Sequence, residues 1–187
     1  ILGGLWRGWR QHALRRPLGL GLSSGLLFWL LATMGLNIYQ ESARLPQLTL
    51  RNAAGESVQL ADYTGKPLVI NLWATWCPPC RREMPVLQKA QAEREDVVFL
   101  FVNQAESQQT VTGFIADQGL HLRNVLFDGS GKLAQSVGSM ALPTTIFYTA
   151  DGRLRGSHLG ELSNASLARY LDNVDSDASP SHSRTTP

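Results

Sequence analysis

The stretch Trp73-Ala74-Thr75-Trp76-Cys77-Pro78-Pro79-Cys80 decides how the rest of the chain is read. Before it, Pro67 to Trp73 is almost continuously apolar, as expected of a strand covered on both faces. After it, Pro78 to Arg94 carries Met84, Leu87 and Ala90 at helical spacing. The two thiols therefore lie where a buried strand gives way to a helix, and three residues apart they can close a small disulfide. At a helix start the unpaired N–H groups and the positive end of the helix favour a thiolate, which makes Cys77 the attacking sulfur. Cys80, one turn further in, is the less exposed thiol and the one to resolve a mixed disulfide. Pro78 and Pro79 occupy first-turn positions, where a missing N–H costs little.

Working outward, Leu48-Thr49-Leu50 and Val58-Gln59-Leu60 alternate around Asn52-Ala53-Ala54-Gly55, which predicts a hairpin. Val97 to Val102 predicts a second buried strand. Ser107 caps a predicted helix running to Gln118 and stopped by Gly119. A short strand over Asn124 to Phe127 and a short helix over Lys132 to Val137 follow. Thr144 to Thr149 and Arg153 to Leu159 read as two strands about the turn Ala150-Asp151-Gly152. Ser163 or Asn164 caps a last helix through about Leu171. Strands alternating with helices and closing on a hairpin give an α/β sandwich with a mixed sheet. Its chemistry is expected beyond the carboxyl end of a central strand.

The N-terminal segment reads as an address. Arg7, Arg10, Arg15 and Arg16 precede a run without charge from Pro17 to Gln40, and Leu18 to Leu36 holds eight leucines with Phe28, Trp29, Ala32 and Met34. Nineteen helical residues reach about 28 Å, close to the hydrocarbon thickness of a bilayer. The basic cluster before the run and Glu41 after it predict the N-terminus inside and the body outside. A cleaved signal peptide is the competing reading, with Thr33-Met34-Gly35 as its weak cleavage site; the length of the run favours an uncleaved anchor. The expected organisation is a basic cytoplasmic segment over 1–17, a transmembrane anchor over 18–38, a linker over 39–46, the folded domain over 47–172 and a disordered tail over 173–187. The tail is Ser-, Thr-, Asp- and Pro-rich and too polar to order itself.

Charge and cysteine count exclude several classes. With the four leading arginines set aside from the 17 basic residues, 13 remain against 15 acidic ones, so the body has no basic surface for nucleic acid. Two cysteines exclude a disulfide-stapled scaffold and a four-cysteine zinc site. A metal pair remains an alternative use of two thiols, although His121, His158 and His182 are distant in sequence.

The run from Gly65 to Pro85, with Asn71-Leu72-Trp73-Ala74-Thr75-Trp76-Cys77-Pro78-Pro79-Cys80-Arg81-Arg82-Glu83-Met84-Pro85 at its heart, closely resembles membrane-anchored, TlpA-like thioredoxin-fold disulfide reductases, relatives of the thioredoxin-like proteins of cytochrome c maturation. The resemblance spans about Leu45 to Leu171 and includes Ala141-Leu142-Pro143-Thr144-Thr145. It implies a thioredoxin-like fold and a redox-active Cys77–Cys80 disulfide. The interval of 63 positions from Cys80 to Pro143 leaves room for the helix–strand insert of that family. Pro143 matches the family's cis-proline, and Leu142, Pro143 and Thr144 are carried over with Trp76 as residues that hold the client chain. Glu83 matches an acid that assists proton movement at the resolving thiol; a solvated helix-face carboxylate is the other reading. Trp76 is expected as an apolar rim, and Trp73, Met84 and Leu87 as core.

Two departures qualify the resemblance. Plain thioredoxins carry a buried acid where this chain has Asn71, and an amide cannot take up a proton, so a carboxylate-based transfer falls to Glu83 or to water. The cytochrome c maturation branch often has Glu where this chain has Thr144. Peroxidases of this fold place Thr where this chain has Ala74. The reading is a thiol–disulfide oxidoreductase, reducing periplasmic client disulfides and recharged by a membrane electron donor of the DsbD or CcdA kind, without organic cofactor or metal. The alternatives are an oxidase or isomerase, or a non-catalytic module holding Cu(I) between two thiolates, which would want a third soft ligand nearby, whereas Met84 is expected in the core.

Overall fold

One inner strand of the sheet has side chains of one face in one core and those of the other face in a second. In a computed structural model that describes residues 25–34, 44–139 and 141–175, this strand, β3, runs Leu68–Trp73 and is buried throughout. Strand periodicity sends Val69 and Trp73 to one side and Leu68, Ile70 and Leu72 to the other. This is why its sequence is apolar without alternation.

Seven strands form one sheet: β1 (Thr49–Asn52), β2 (Ser57–Gln59), β3, β4 (Val98–Gln104), β5 (Val125–Asp128), β6 (Thr144–Tyr148) and β7 (Leu154–Leu159). Their order is β2-β1-β5-β4-β3-β6-β7. The pairs β3–β4 and β4–β5 are parallel and the others antiparallel, so the sheet is mixed as expected. Helix α1 (Pro78–Glu93) follows β3, α2 (Gln108–Asp117) follows β4, the short α3 (Lys132–Ser136) follows β5, and α4 (Asn164–Asp175) closes the chain of elements. Parallel neighbours need such crossovers.

The core facing α1 unites Val69, Trp73, Met84, Leu87, Phe99, Phe101 and Phe147 with Leu167 and Leu171. The opposite core joins Leu60, Leu72, Leu100, Val102, Leu126, Leu133 and Ile146. Leu60 opens a 3-10 turn over Leu60–Tyr63, an element that sequence periodicity does not register because it is a single turn. In the hairpin between β6 and β7, Gly152 has φ of 78°, and an added Cβ would lie 3.5 Å from that of Leu45.

The last helix is longer than expected. It continues past Leu171 because Val174 comes round to the same face as Leu167 and is buried with it. The domain boundary expected at 172 therefore falls within the helix, and 173–175 belong to the fold rather than to a tail.

The contacts separate residues 1–41 from 42–187. In the first unit, 25–34 are helical. Among the described residues no helix is long and apolar enough to cross a membrane. The rest of the expected span 18–38, the basic segment 1–17, the linker residues 39–43 and the tail from 176 onward lie outside the described residues.

Candidate active site

Where β3 ends, the chain makes a tight turn, Ala74-Thr75-Trp76-Cys77, closed by a 3.2 Å bond from the Cys77 N–H to the Ala74 carbonyl. Cys77 is the residue that caps α1: its backbone is extended, and its Sγ accepts the Cys80 N–H at 3.3 Å. Helix starts leave such N–H groups without partners, and here the sulfur takes one. Cys77 and Cys80 are joined as a disulfide with Cα atoms 5.3 Å apart. Pro78 and Pro79 stand at the first helical positions, and Pro85 lies within the helix.

Both sulfurs are shielded, Cys80 completely. The neighbouring Trp76 is 67% exposed and Trp73 is 0% exposed, which divides the two tryptophans into rim and core. Trp73 meets Phe114 of α2 with ring centroids 5.8 Å apart, and the Arg81 guanidinium lies 5.5 Å over the same Phe114 ring. Met84 is fully buried among the core side chains, in the same cluster as both cysteines.

Glu83 is the largest departure from an ordinary helix surface. Its side chain is entirely buried, which overturns the reading of a solvated carboxylate. One oxygen accepts the Asn71 Nδ2–H at 2.7 Å and the other accepts the Leu162 N–H at 2.8 Å. Asn71 also donates to Thr145 Oγ1 at 3.0 Å, tying β3, α1 and β6 together. Burial pushes the Glu83 carboxyl up to about 7; the Leu162 and Asn71 donors hold it down in part, and the Glu161 charge adds to the rise. A carboxyl near neutrality can take or give a proton at working pH.

The Leu142–Pro143 bond is cis. Register places it: Leu72 of β3 pairs with Thr144 of β6, so Pro143 lies at the same sheet end as the cysteine turn. Its carbonyl accepts the Gly160 N–H at 2.9 Å. Leu142 is half-buried. Thr144 is buried, and its hydroxyl donates to the Ala141 carbonyl at 2.7 Å while accepting from Ser139 Oγ at 3.0 Å. Its side chain thus braces the loop ahead of Pro143.

One residue near the motif had no signal in the sequence. Glu106, 31 positions from Thr75, accepts both the Thr75 N–H at 2.7 Å and the Thr75 hydroxyl. Leu162, which holds Glu83 by a backbone donor, was equally silent, since it lies 79 residues from what it touches.

A cystine at the start of a helix, a cis-proline at the same sheet end and a buried carboxyl one helical turn after the second cysteine define a thiol–disulfide oxidoreductase of the thioredoxin fold. Residues 40–172 match the Redoxin family, and the chain belongs to it. It is 32% identical over 165 residues to the thioredoxin-like protein YneN of Bacillus subtilis, covering 81% of this chain and 96% of that one. It is 30% identical over 131 residues to the thiol-disulfide oxidoreductase ResA of Halalkalibacterium halodurans, covering 69% of this chain and 74% of that one. Among solved structures it resembles the exposed lipoprotein thioredoxin Etrx1 of Streptococcus pneumoniae, with a TM-score of 0.59, 28% identity, and coverage of 68% of this chain and 98% of that one.

Proposed function

We propose that the protein reduces disulfides of client proteins outside the cytoplasmic membrane, held there by its N-terminal anchor. The observation that carries the direction is the buried carboxyl of Glu83, one helical turn after Cys80. Where it is ionised, that carboxylate opposes a second charge at Cys80 and so withholds the thiolate stabilisation of the reduced form that makes a strongly oxidising pair.

In the cycle, the Cys77 thiolate attacks one sulfur of the client disulfide and the other client sulfur leaves as a thiolate. Cys80 loses its proton, with Glu83 as the nearby acceptor, and attacks Cys77 Sγ in the mixed disulfide. The second client thiolate departs, the Cys77–Cys80 bond closes, and two electrons have passed to the client. Trp76 and the backbone around Leu142 and Pro143 hold the client chain. A membrane donor of the DsbD or CcdA kind returns the dithiol. The TlpA-like resemblance of the motif supports this assignment, as does likeness to a protein described as an exposed lipoprotein thioredoxin.

Equilibration of the Cys77–Cys80 pair against a dithiol buffer of known potential tests the direction. A value near that of thioredoxin, about −270 mV, is expected; one near the roughly −120 mV of a strong oxidant reverses the assignment. Carbonate-washed membranes should retain the full chain, and recovery of a shortened soluble body would replace the anchor with a cleaved signal.

A further inference from the structure

We propose that Glu106 is a positioning residue for attack by Cys77: its carboxylate grips the turn that presents Trp76 and Cys77 and fixes it to the end of β4. The proposal rests on the reading that Cys77 is the attacking sulfur.

The parallel ladder between β3 and β4 ends at the pair Trp73 and Asn103. Beyond it the two chains diverge, one into the cysteine turn and the other toward α2, and the Thr75 N–H has no further rung to join. Glu106 supplies it. Its Oε2 accepts the Thr75 N–H and the Asn103 Nδ2–H, each at 2.7 Å, and its Oε1 accepts the Thr75 hydroxyl. An ionised carboxylate is an acceptor at both oxygens, so three converging donors suit it.

The backbone before Glu106 is bent to allow this. Ala105 has φ of 59°, a left-handed conformation that a residue with a Cβ disfavours. That bend lies between Asn103 and Glu106, and the chain passes through it before the carboxylate meets Thr75. Thr75 and Trp76 are the two central residues of the turn closed by Cys77 onto Ala74. Holding Thr75 by backbone and side chain together holds the turn, and with it the line along which Cys77 Sγ can be reached. A nucleophile kept in one geometry reacts faster than one that must find it.

The test uses the full-length chain with Cys80→Ser, so that only Cys77 is read, and measures its mixed-disulfide formation with a small aromatic disulfide. Glu106→Ala should slow adduct formation by about tenfold, the effect of one charge-assisted hydrogen bond lost from the reacting geometry. Glu106→Gln should restore the rate to near that of the parent, because its amide oxygen can take the Thr75 and Asn103 donors and its NH2 can donate to the Thr75 hydroxyl. Thr75→Val, which removes one of the three bonds and leaves the core untouched, should fall between. Equal rates in all three variants, or a Gln variant as slow as the Ala variant, overturn the proposal. Should Glu106→Ala fail to fold, a Thr75→Val protein reacting at the parent rate overturns it alone. Failure of the underlying reading looks different: the parent with Cys80→Ser would then form no adduct at all.

Discussion

Asn71 and Glu83 are hydrogen-bonded across 2.7 Å in the interior, amide to carboxyl, where a plain thioredoxin would set its acid on the strand. The acid has in effect moved from β3 to the helix that carries the cysteines, and the strand has kept a polar partner for it. The amide does more than fill the space. It donates to Glu83 and to Thr145, so the proton-active group is linked to β6 as well as to β3. The Leu162 N–H completes the cradle from the segment leading into α4.

This arrangement sets a pH dependence whose sign can be worked out. The folded Glu83 carboxyl lies at about 7 against an ordinary 4.5, with burial as the main cause. Between those values the folded chain binds the proton and the unfolded chain does not, so stability falls as pH rises through the window and is level above it. The shift corresponds to about 3 kcal/mol. Glu83→Gln should abolish that component. Urea unfolding of the oxidised protein across the window should show the variant gaining on the wild type as pH rises. A constant difference at all pH values would show that Glu83 does not titrate there.

Trp76 is exposed and carries little of the fold. Trp76→Ala should leave the unfolding midpoint within about 0.5 kcal/mol of the wild type, as for most surface changes. Reduction of a protein disulfide should weaken through KM, while the rate with a small disulfide stays put. Equal loss with both substrates would mean that Trp76 supports the cysteines and not the client.

Thr144 makes the opposite prediction. Its hydroxyl joins Ser139 to the Ala141 carbonyl, bracing the loop before Pro143. Thr144→Val keeps the shape and loses both bonds, at about 1 kcal/mol of stability by denaturant titration. Client KM should rise as the loop loosens. Full stability in the variant would return Thr144 to the role of a direct client contact.

Gly156 of β7 tests the fold apart from the chemistry. A Cβ there would sit 3.2 Å from Cε1 of Tyr170, whose ring stacks on Phe147 at 4.3 Å. Gly156→Ala should cost about 1–2 kcal/mol as the stack gives way, with Cys77 reactivity unchanged. Thermal unfolding and thiol alkylation measured side by side would separate the two.

Much of this was legible in the chain itself, for physical reasons that can be named. Pro67 to Trp73 announced a strand buried on both faces, and the helix start at Pro78 followed from two prolines whose missing N–H groups suit a first turn. Ser107 does cap α2, its Oγ accepting the Thr110 N–H at 3.1 Å. The burial of Glu83 was not legible. Helical spacing sets it in line with Cys80 and Leu87, both buried, but a carboxyl there needs partners, and the Asn71 amide and Leu162 N–H that supply them are not its neighbours in sequence. Glu106 was hidden for a like reason, since its partner Thr75 is brought near by a parallel crossover rather than by local spacing. The final turn of α4 is masked in the sequence because Val174 continues the face of Leu167 and Leu171 from inside a segment that is otherwise polar.

The most direct test of the central claim is trapping. Cys80→Ser leaves the first exchange intact and removes the second, so cells making this variant should accumulate mixed disulfides through Cys77. These would appear as higher-mass species that collapse under strong reductant and whose partners can be identified. Cys77→Ser should give almost none, because Cys80 is fully buried beneath the turn. Equal trapping by both variants would contradict the assigned roles of the two sulfurs, and the absence of any adduct with Cys80→Ser in cells that make the clients would contradict the oxidoreductase cycle itself.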